Sequence, residues 1–522
     1  MNLISMFDES ASRWPAKTLL HYGDQTFSYA GIQALSLRAA QVLREHGVGQ
    51  GDRVALMCFN TPYFLVAVLG ALRLGAVIVP VNHKLQKPEV EFVLRHSGAR
   101  LCIFDGALSE LASRLETPAL LLSTGESPRK QDAAFDHFDT QVERTEPGEM
   151  PPLVADDALA QVLYTSGTTG QPKGCLHSHR NVFTTALICS AALSMTHNDR
   201  MLIAMPIWHA APLNNWSFGT LLMGGTLVFL REYTPRGFLE SISKYGITLT
   251  FGAPIALLAP LELADFESHD LSAMRLWIYG GGPLGEEMAR RLMERYRSTQ
   301  FMQVYGMTEM GPLGTALFPE DALRKAGSIG RSSLPGVQVR VVAGDGGDTP
   351  AGRIGEIQLR SEAGMLGYLG DPQATAAAYT ADGWYRSGDL ARVDEDGYYY
   401  VVDRLKDLIT TGGENVYSKE VEDALSPHPD VADVAVIGRA HPQWGETVVA
   451  VVVARPGRQP DPDALKAFLA DKLARYKIPR DYVFVDTLPR TPSGKLQKHL
   501  LRTSVAGTPA GLPLSNPKDI HA

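Results

Sequence analysis

The sequence predicts an α/β fold with a large N-terminal lobe, a small antiparallel sheet or barrel closing this lobe, and a compact α+β unit at the C-terminus. The chain has 522 residues, 45% of them hydrophobic, which suffices for about three to four domain-equivalents with a sizeable core. Apolar strands alternate with amphipathic helices as far as Tyr296. From about Gly336 the pattern changes to short strands separated by tight turns.

The N-terminal elements follow one another in a regular helix–strand alternation. Ser28 can cap a helix that ends at Gly47. Further elements are predicted as a strand at 53–59, a helix and a strand within 61–81, a helix at 88–96, strands at 101–104, 200–205, 226–230, 247–251 and 276–279, and a helix at 284–296. Strands that are apolar throughout indicate a parallel sheet covered on both faces. The polar segment 123–152 predicts a connecting loop with one short strand at most.

The C-terminal part contains a different set of elements. Strands are predicted at 337–342, 356–360 and 397–402, and the α+β unit has a helix at 418–425, strands at 431–437 and 447–453, a helix at 462–473 and a strand at 482–485. We therefore predict a large lobe at 1–404, a small domain at 405–503 and a disordered tail at 504–522, which is rich in Pro, Gly and Ser.

Composition excludes several classes of function. Lys and Arg total 49 against 57 Asp and Glu, so the formal net charge is −8, which suits neither nucleic acid nor an anionic membrane. The four cysteines are scattered without a CxxC pair, which argues against a disulfide framework or a zinc cluster. The N-terminus lacks a signal-peptide pattern, and the most apolar segment is interrupted by Arg73, Gly75 and Pro80. We expect a cytoplasmic protein without a membrane span.

The most informative segment is the loop Tyr-Thr-Ser-Gly-Thr-Thr-Gly-Gln-Pro-Lys-Gly at 164–174. Its glycines let main-chain N–H groups converge, its hydroxyls can donate hydrogen bonds, and Lys173 adds a cation, so the loop suits a phosphate chain. It differs from the P-loop of nucleotide triphosphatases, because Pro172 replaces the glycine before the lysine and Gly174 replaces the Ser or Thr after it. The alternative on composition alone is a flexible surface turn.

This loop resembles the signature loop of the adenylate-forming superfamily, which includes acyl-CoA synthetases, aryl-CoA ligases, peptide-synthetase adenylation domains and firefly luciferase. The other matching motifs are Gly-Gly-Gly-Pro at 280–283, Tyr-Gly-Met-Thr-Glu at 305–309, Tyr-Arg-Ser-Gly-Asp at 385–389, Asp-Arg-Leu-Lys-Asp at 403–407, Gly-Gly-Glu-Asn at 412–415 and Pro-Arg-Thr-Pro-Ser-Gly-Lys at 489–495. The resemblance covers nearly the whole chain. It implies a large lobe of two stacked α/β sheets plus a small β-barrel, with a mobile α+β C-terminal domain.

The resemblance also implies a reaction and its cofactors, ATP, Mg²⁺ and coenzyme A. A carboxylate attacks the α-phosphate of ATP to give an acyl-adenylate and pyrophosphate, and a thiol then displaces AMP. Residues implied to hold the β- and γ-phosphates are Thr165, Ser166, Gly167, Thr168, Thr169 and Lys173. Tyr305 would stack on adenine, with Gly281, Gly282 and Pro283 as the opposite wall and Gly306, Met307 and Thr308 completing the motif. Glu309 is implied as the Mg²⁺ ligand.

The remaining implied residues act on the ribose, on the reacting atoms or on the second step. Asp389 would accept both ribose hydroxyls and Arg404 would contact ribose or phosphate. Lys495 would stabilise charge during adenylation, and Lys406 is the implied hinge about which the small domain rotates. Gly412 and Gly413 would border the coenzyme A tunnel, and His209 would gate the acyl pocket. Without the surrounding motifs, each of these residues has an ordinary alternative: Glu309 could be a solvated surface charge, Asp389 a turn residue and His209 a structural histidine.

The acyl substrate is expected to be a hydrophobic carboxylic acid. The segment after Trp208 and His209 contains no acidic residue, which makes a free amino acid an unsuitable substrate. The candidate wall is apolar and aromatic: Trp208, Leu213, Asn215, Trp216, Phe251, Ala253, Ile255, Tyr279, Met307 and Met310. Medium-chain, branched, alicyclic and aromatic acids all remain open, while dicarboxylates are disfavoured because no arginine stands out to pair with a second carboxylate.

Three functional classes compete on the sequence. The first is an acyl-CoA synthetase. The second is a different adenylating enzyme, either a ligase that loads a carrier protein or a luciferase-like oxygenase. The third, a relative that binds without catalysis, is disfavoured because Lys173, Glu309, Asp389, Arg404 and Lys495 are all present. By analogy with relatives, a homodimer is expected.

Overall fold

The computed structural model describes residues 1–125, 135–165, 172–282, 284–343, 349, 352–490 and 496–505. The chain divides into two compact units. The large unit comprises Met1–Arg340, Gln358–Arg386 and Asp396–Tyr399. The small unit comprises Val341–Ile357, Ser387–Glu395 and the chain from Tyr400 onward.

The strands of the described chain form four sheets, of nine, eight, four and five strands. In chain order the strands are β1 (Thr18–Tyr22), β2 (Gln25–Ser28), β3 (Arg53–Met57), β4 (Val77–Pro80), β5 (Ala99–Asp105), β6 (Leu120–Thr124), β7 (Asp136–His137), β8 (Leu159–Thr165), β9 (Lys173–Ser178), β10 (Arg200–Ile203), β11 (Thr226–Phe229), β12 (Leu249–Gly252), β13 (Leu276–Gly280), β14 (Phe301–Met307), β15 (Leu313–Leu317), β16 (Ser332–Ser333), β17 (Val337–Val342), β18 (Ile354–Ser361), β19 (Gly367–Tyr368), β20 (Tyr385–Val393), β21 (Tyr399–Arg404), β22 (Ile409–Thr411), β23 (Glu414–Val416), β24 (Val431–His441), β25 (Gly445–Ala454) and β26 (Asp481–Phe484).

The helices lie mostly between consecutive strands. In chain order they are α1 (Leu3–Arg13), α2 (Tyr29–Glu45), α3 (Pro62–Arg73), α4 (Lys87–Ser97), α5 (Ser109–Ala112), α6 (Phe138–Arg144), α7 (His179–Ala192), α8 (Phe218–Met223), α9 (Pro235–Tyr245), α10 (Pro254–Leu258), α11 (Glu286–Arg295), α12 (Pro372–Ala378), α13 (Ser418–Leu425), α14 (Pro462–Ala470) and α15 (Lys498–Val505). A π-helical turn at Ala211–Ser217 precedes α8, and a 3₁₀ turn at Thr308–Met310 follows β14.

The two large sheets are mixed in strand direction. The nine-stranded sheet has the order β16–β15–β14–β13–β12–β10–β11–β1–β2, and the eight-stranded sheet has the order β19–β9–β8–β4–β3–β5–β6–β7. Central neighbours are parallel, whereas β2, β9, β15, β16 and β19 run antiparallel to their neighbours. The prediction of a parallel sheet is therefore right for the central strands, whereas the antiparallel strands were not predicted. The α/β fold class is confirmed.

The helices cover the sheets with their apolar faces. Phe238 of α9 and Leu292 of α11 pack with Trp277 and Phe301 of the nine-stranded sheet. In the eight-stranded sheet, the central strands β3 and β4 are apolar and buried apart from Arg53 at the start of β3, which explains why their sequences show no alternation. The Ser28 side chain accepts a hydrogen bond from the main-chain N–H of Gly31 at 3.0 Å, which confirms the predicted N-cap of α2.

One predicted loop is partly wrong. The segment 123–152 contains the end of β6, the short β7 and the helix α6, whereas the sequence predicted one short strand at most. Only Phe138 and Val142 of α6 are buried, and two apolar residues four positions apart are a weak helical pattern. Residues 126–134 of this segment lie outside the described part of the chain.

The small unit is built around the five-stranded sheet. Its order is β23–β22–β25–β24, with β26 parallel to β25. Helices α13 and α14 pack on the sheet through Val421, Leu425, Leu465 and Leu469. The helix predicted at 418–425 has the bounds Ser418–Leu425, but α15 was not predicted. A further sheet has the strand order β17–β18–β20–β21.

Within the described residues, no helix is long and apolar enough to cross a lipid bilayer.

Candidate active site

The hairpin of β8 and β9 brings Thr165 and Lys173 to the same place. Thr165 ends β8, Lys173 begins β9, and the two residues are register partners in the antiparallel pair. The connecting residues, which include the predicted phosphate-binding residues Ser166, Gly167, Thr168 and Thr169, lie outside the described residues. The hairpin therefore positions a hydroxyl and an ammonium group at the two ends of the predicted phosphate loop.

Glu309 lies beside this hairpin, although 144 residues separate it from Thr165 in the chain. The hydroxyls of Thr165 and Tyr368 both donate hydrogen bonds to Glu309 Oε1 at 3.3 Å. The main-chain oxygen of Glu309 accepts a hydrogen bond from the N–H of Met365 at 2.8 Å. Lys173 Nζ lies 5.0 Å from the centroid of the Tyr368 ring. We call Thr165, Lys173, Cys175, Glu309 and Tyr368 the Glu309 cluster.

The polar groups around Glu309 stay protonated. Burial and the negative charge of Glu309 raise the pKa of the Tyr368 hydroxyl. Burial and the same charge raise the pKa of the Cys175 thiol well above its usual value. Neither group therefore ionises near neutral pH, and both keep a proton beside the carboxylate. The site thus combines one carboxylate, one ammonium group and neutral hydroxyl and thiol groups.

The Glu309 cluster fits a magnesium ion that is shared with a nucleotide. Among the residues that the structure describes, no three His, Cys, Asp or Glu side chains gather to hold a metal ion. Mg²⁺ usually needs only one or two protein carboxylates, because substrate phosphates and water complete its oxygen ligands. The Glu309 carboxylate beside the Thr165 hydroxyl matches this donor set.

The predicted adenine-binding residues lie at the end of two adjacent parallel strands. Gly280 of β13 is the register partner of Val304 of β14, so Gly281 and Tyr305 follow at neighbouring positions. This is the carboxyl end of parallel strands, where α/β proteins bind nucleotides. A Cβ atom on Gly306 would lie 2.6 Å from the carbonyl carbon of Pro312, so the β14–β15 hairpin itself requires glycine there. Pro283 lies outside the described residues.

In the predicted acyl pocket, Trp208 and His209 form a compact aromatic group. Their ring centroids are 3.7 Å apart. Trp208 Nε1 donates a hydrogen bond to His83 Nδ1 at 3.1 Å. Burial lowers the pKa of His83 to about 4, so this imidazole is neutral and its Nδ1 can accept. The sequence had not identified His83, which has no distinctive neighbours in the chain.

Asn60 fixes the segment that leads into Trp208. Its Oδ1 accepts a hydrogen bond from the main-chain N–H of Ile207 at 2.7 Å. Its Nδ2 donates to the carbonyl oxygens of Ile203, Met205 and Leu230 at 2.9–3.1 Å. Asn60 had also been missed, because an isolated asparagine after a strand reads as an ordinary loop residue.

Most of the predicted acyl wall is buried. The π-helical turn contributes Leu213, Asn215 and Trp216, and the Trp216 ring packs against Phe251 with centroids 5.3 Å apart. Asn215 Nδ2 donates to the carbonyl of Pro312 at 3.0 Å. Ile255 differs from the other predicted wall residues because its side chain is 69% exposed. A π-helical segment at this place is notable because such segments are enriched at functional sites.

The small unit contains the predicted ribose-binding pair. Asp389 lies on β20 and is 4% exposed, and its Oδ1 is 2.5 Å from Nε of Arg404. Asp403, immediately before this arginine, accepts hydrogen bonds from the Ser418 hydroxyl at 2.8 and 3.1 Å. The two predicted nucleotide-binding residues are therefore already in contact with each other.

Lys406 and the two glycines lie in neighbouring turns of the small unit. Lys406 is in the 3₁₀ turn Leu405–Asp407, where its carbonyl accepts from Arg502 at 3.4 Å. Gly412 and Gly413 connect β22 and β23 with φ values of 60° and 84°. A two-residue hairpin turn with two positive φ values accounts for both glycines by conformation alone. Lys495, the predicted catalytic lysine, lies outside the described residues.

Comparisons with known proteins identify the family of this chain. A family model described as AMP-binding enzyme matches residues 7–369, and the model of the AMP-binding enzyme C-terminal domain matches residues 420–495. A feruloyl-CoA synthase of an Amycolatopsis species is 37% identical over 95% of this chain and 99% of its own length. The fatty acid–[acyl-carrier-protein] ligase ScoC of Streptomyces coeruleorubidus is 36% identical over 93% of each chain.

Solved structures agree with the family models. The crystal structure of ATP-bound MatB from Rhodopseudomonas palustris matches with a TM-score of 0.85 and 30% identity, covering 97% of this chain and 99% of MatB. The chain belongs to the AMP-binding enzyme family, which confirms the resemblance to adenylate-forming enzymes. It is an enzyme of the acyl-CoA ligase class.

Proposed function

We propose that the protein is an ATP-dependent carboxylate–CoA ligase. In the first half-reaction, a carboxylate oxygen of the acid attacks the α-phosphorus of ATP, and the bond to pyrophosphate breaks. In the second, the coenzyme A thiol loses its proton and attacks the acyl carbon, and AMP leaves with the electrons of the cleaved bond. The products are an acyl-CoA thioester, AMP and pyrophosphate.

The observation that carries this proposal is the Glu309 cluster. A carboxylate and a triphosphate repel each other, so adenylation needs positive charge and fixed donors around the phosphates. Lys173 supplies an ammonium group and Thr165 a hydroxyl on the same hairpin, and the neighbouring Glu309 carboxylate would supply an oxygen ligand for magnesium. When bound, Mg²⁺ would neutralise charge on the phosphate oxygens. Thr165 and Lys173 are more than 130 positions from Glu309 in the chain, so the contact of this hairpin with Glu309 supports a built site.

The other residue roles are part of the same proposal. Tyr305 would stack on the adenine, with Gly281, Gly282 and Pro283 on its other side, and Gly306, Met307 and Thr308 shape this wall. Asp389 and Arg404 would hold the ribose and the neighbouring phosphate. Lys495 would stabilise charge on the α-phosphate during adenylation. Lys406 would serve as the hinge between the two half-reactions, and Gly412 and Gly413 would border the coenzyme A path.

We propose a hydrophobic, aromatic or fatty carboxylic acid as the substrate. The buried side chains of Trp208 and Trp216, together with the half-buried Phe251, would accommodate an apolar acyl chain or ring. His209 would border the carboxylate and gate its entry. The similarity to a feruloyl-CoA synthase supports an aromatic acid as the first choice for testing.

A second candidate is the loading of an acyl group onto a carrier protein. It is favoured by the 36% identity with the carrier-protein ligase ScoC over 93% of both chains. The first half-reaction is the same in both cases, and only the accepting thiol differs.

Two assays with the full chain test these proposals. A panel of aromatic, alicyclic and fatty acids is offered with ATP and Mg²⁺, and exchange of labelled pyrophosphate into ATP identifies the acids that are adenylated. Coenzyme A or a phosphopantetheinylated carrier protein is then added, and the thioester is measured directly. Thioester formation with coenzyme A supports the ligase, acylation of the carrier alone supports the second candidate, and background exchange with every acid would refute both.

A further inference from the structure

Tyr368 is fixed by main-chain hydrogen bonds against the strand that leaves the phosphate loop. It lies on β19, which pairs antiparallel with β9, and its register partner is Cys175. The N–H of Leu369 donates to the carbonyl of Gly174 at 2.8 Å, and the N–H of Leu366 donates to that of Leu176 at 2.8 Å. The position of the tyrosine is therefore set by the same strand that begins with Lys173.

The segment before Tyr368 is attached to the other side of the Glu309 cluster. The N–H of Met365, three residues earlier, donates to the main-chain oxygen of Glu309. The Tyr368 main-chain N–H donates to the hydroxyl of Thr375 at 2.8 Å, which holds the strand against α12. One short segment thus spans from the loop hairpin to the turn that carries Glu309.

The side chain of Tyr368 contacts both charged groups of the cluster. Its hydroxyl donates to Glu309 Oε1, and its ring faces the Lys173 ammonium group. A hydroxyl that keeps its proton can only donate to a carboxylate, so the direction of this hydrogen bond is fixed. An ammonium group near an aromatic face is attracted to the ring without transferring a proton. The ring and the hydroxyl therefore hold a cation and an anion at once.

We propose that Tyr368 is a positioning residue that sets the separation of Lys173 and Glu309 for a magnesium–triphosphate group. This inference rests on the proposed function, because it assumes that the two charged residues face ATP. The tyrosine does not touch the reacting atoms in this proposal. It keeps the carboxylate oriented towards the metal and the ammonium group oriented towards the phosphates.

Binding measurements on the full chain test the proposal without relying on turnover. We compare wild type, Tyr368→Phe and Tyr368→Leu by titration calorimetry with ATP and MgCl₂, with ATP and EDTA, and with AMP, all in the absence of a carboxylic acid. Loss of the hydroxyl in Tyr368→Phe should weaken MgATP binding about tenfold, the size expected for one hydrogen bond to a charged group. Tyr368→Leu also loses the ring contact with Lys173, so its MgATP affinity should fall by a further factor of about three.

Two controls separate positioning from general damage. AMP lacks the phosphates that Lys173 would contact, so the Kd of AMP should stay within about twofold of wild type in both variants. The ratio by which Mg²⁺ strengthens ATP binding, measured against ATP with EDTA, should be smaller in both variants than in wild type. Tyr233→Phe removes another half-buried hydroxyl, which donates to the carbonyl of Ala256, and should change no affinity. If Tyr368→Leu does not fold, Tyr368→Phe still decides the question.

Several results would overturn the inference. Unchanged MgATP affinity in Tyr368→Phe would show that the hydroxyl does not position Glu309. An equal loss for AMP and MgATP would show that Tyr368 only supports the fold. Failure of the proposed function has a different signature, namely wild-type protein that supports no pyrophosphate exchange with any acid, whatever the tyrosine variants do.

Discussion

Replacing Glu309 with glutamine tests the charge at the centre of the candidate site. The amide keeps an oxygen that can accept the hydrogen bonds of Thr165 and Tyr368, so the fold and the donors around it should persist. Two unit charges 4 Å apart interact by about 4 kcal/mol at an effective dielectric of about 20. Loss of one such fixed electrostatic contact typically lowers a rate by about 10²–10³-fold. We expect a fall of this size in adenylation.

The half-reactions provide the decisive measurement for Glu309→Gln. Pyrophosphate exchange reports the first step, and conversion of supplied acyl-adenylate to thioester reports the second. Pyrophosphate, and the metal ion that would bind it, take no part in the second step. The rate of thioester formation in Glu309→Gln should therefore stay within about threefold of wild type. A matched control is Glu286→Gln on the surface of α11, where the carboxylate pairs with Arg290 at 2.5 Å. Equal losses in both half-reactions, or undiminished exchange, would contradict the assigned role.

Three further predictions concern other parts of the chain. Lys495→Ala should nearly abolish pyrophosphate exchange but leave thioester formation from supplied acyl-adenylate largely intact; equal loss of both would count against a role in adenylation. His83→Phe leaves the buried indole N–H of Trp208 without its acceptor and should lower the free energy of unfolding in urea by about 1–3 kcal/mol, with partial recovery in His83→Gln. For Asp199, burial alone would raise the pKa, but hydrogen bonds from Arg275, Thr196 and Thr248 and the charge of Arg275 outweigh it, and the pKa is lowered. The stabilisation from the Asp199–Arg275 pair is therefore complete above the pKa of an unfolded aspartate, about 4, and is lost as the pH falls through the pKa of the folded state. Acid unfolding of Asp199→Asn should begin at higher pH than that of wild type. The difference in stability between the two proteins should vanish at the lowest pH.

Local patterns in the sequence were sufficient for the elements that bury an apolar face. The N-cap of α2 and the bounds of α13 were predicted because capping residues and helical periodicity are local properties. Strand direction was less predictable. The strands β9 and β15, which pair antiparallel with β8 and β14, were not predicted, because their pairing depends on contacts across the sheet that a local sequence pattern does not contain.

Residues of the candidate site were predicted where they belong to a sequence motif. They were missed where a single residue contributes only through contacts with distant parts of the chain. Glu309 and Lys173 belong to motifs that can be read directly from the sequence. Tyr368, His83 and Asn60 stand alone in the sequence, and these hydrogen bonds join residues that are 59–147 positions apart in the chain. Their importance appears only when the sheets bring these residues together. Such residues would need a structure, or many related sequences, to be recognised.

The π-helical turn at Ala211–Ser217 has a consequence for how the acyl pocket can change. A π-helix holds an extra residue in its turn relative to an α-helix, and deletion of one residue can relax it to regular geometry. Each residue of a helix is rotated by roughly 100° from the one before it, so such a deletion would change the directions of several side chains in this turn at once. Trp216 and Asn215, two buried residues of the proposed acyl wall, would then change their orientation. A single codon lost in this turn could thus remodel selectivity more thoroughly than several point substitutions.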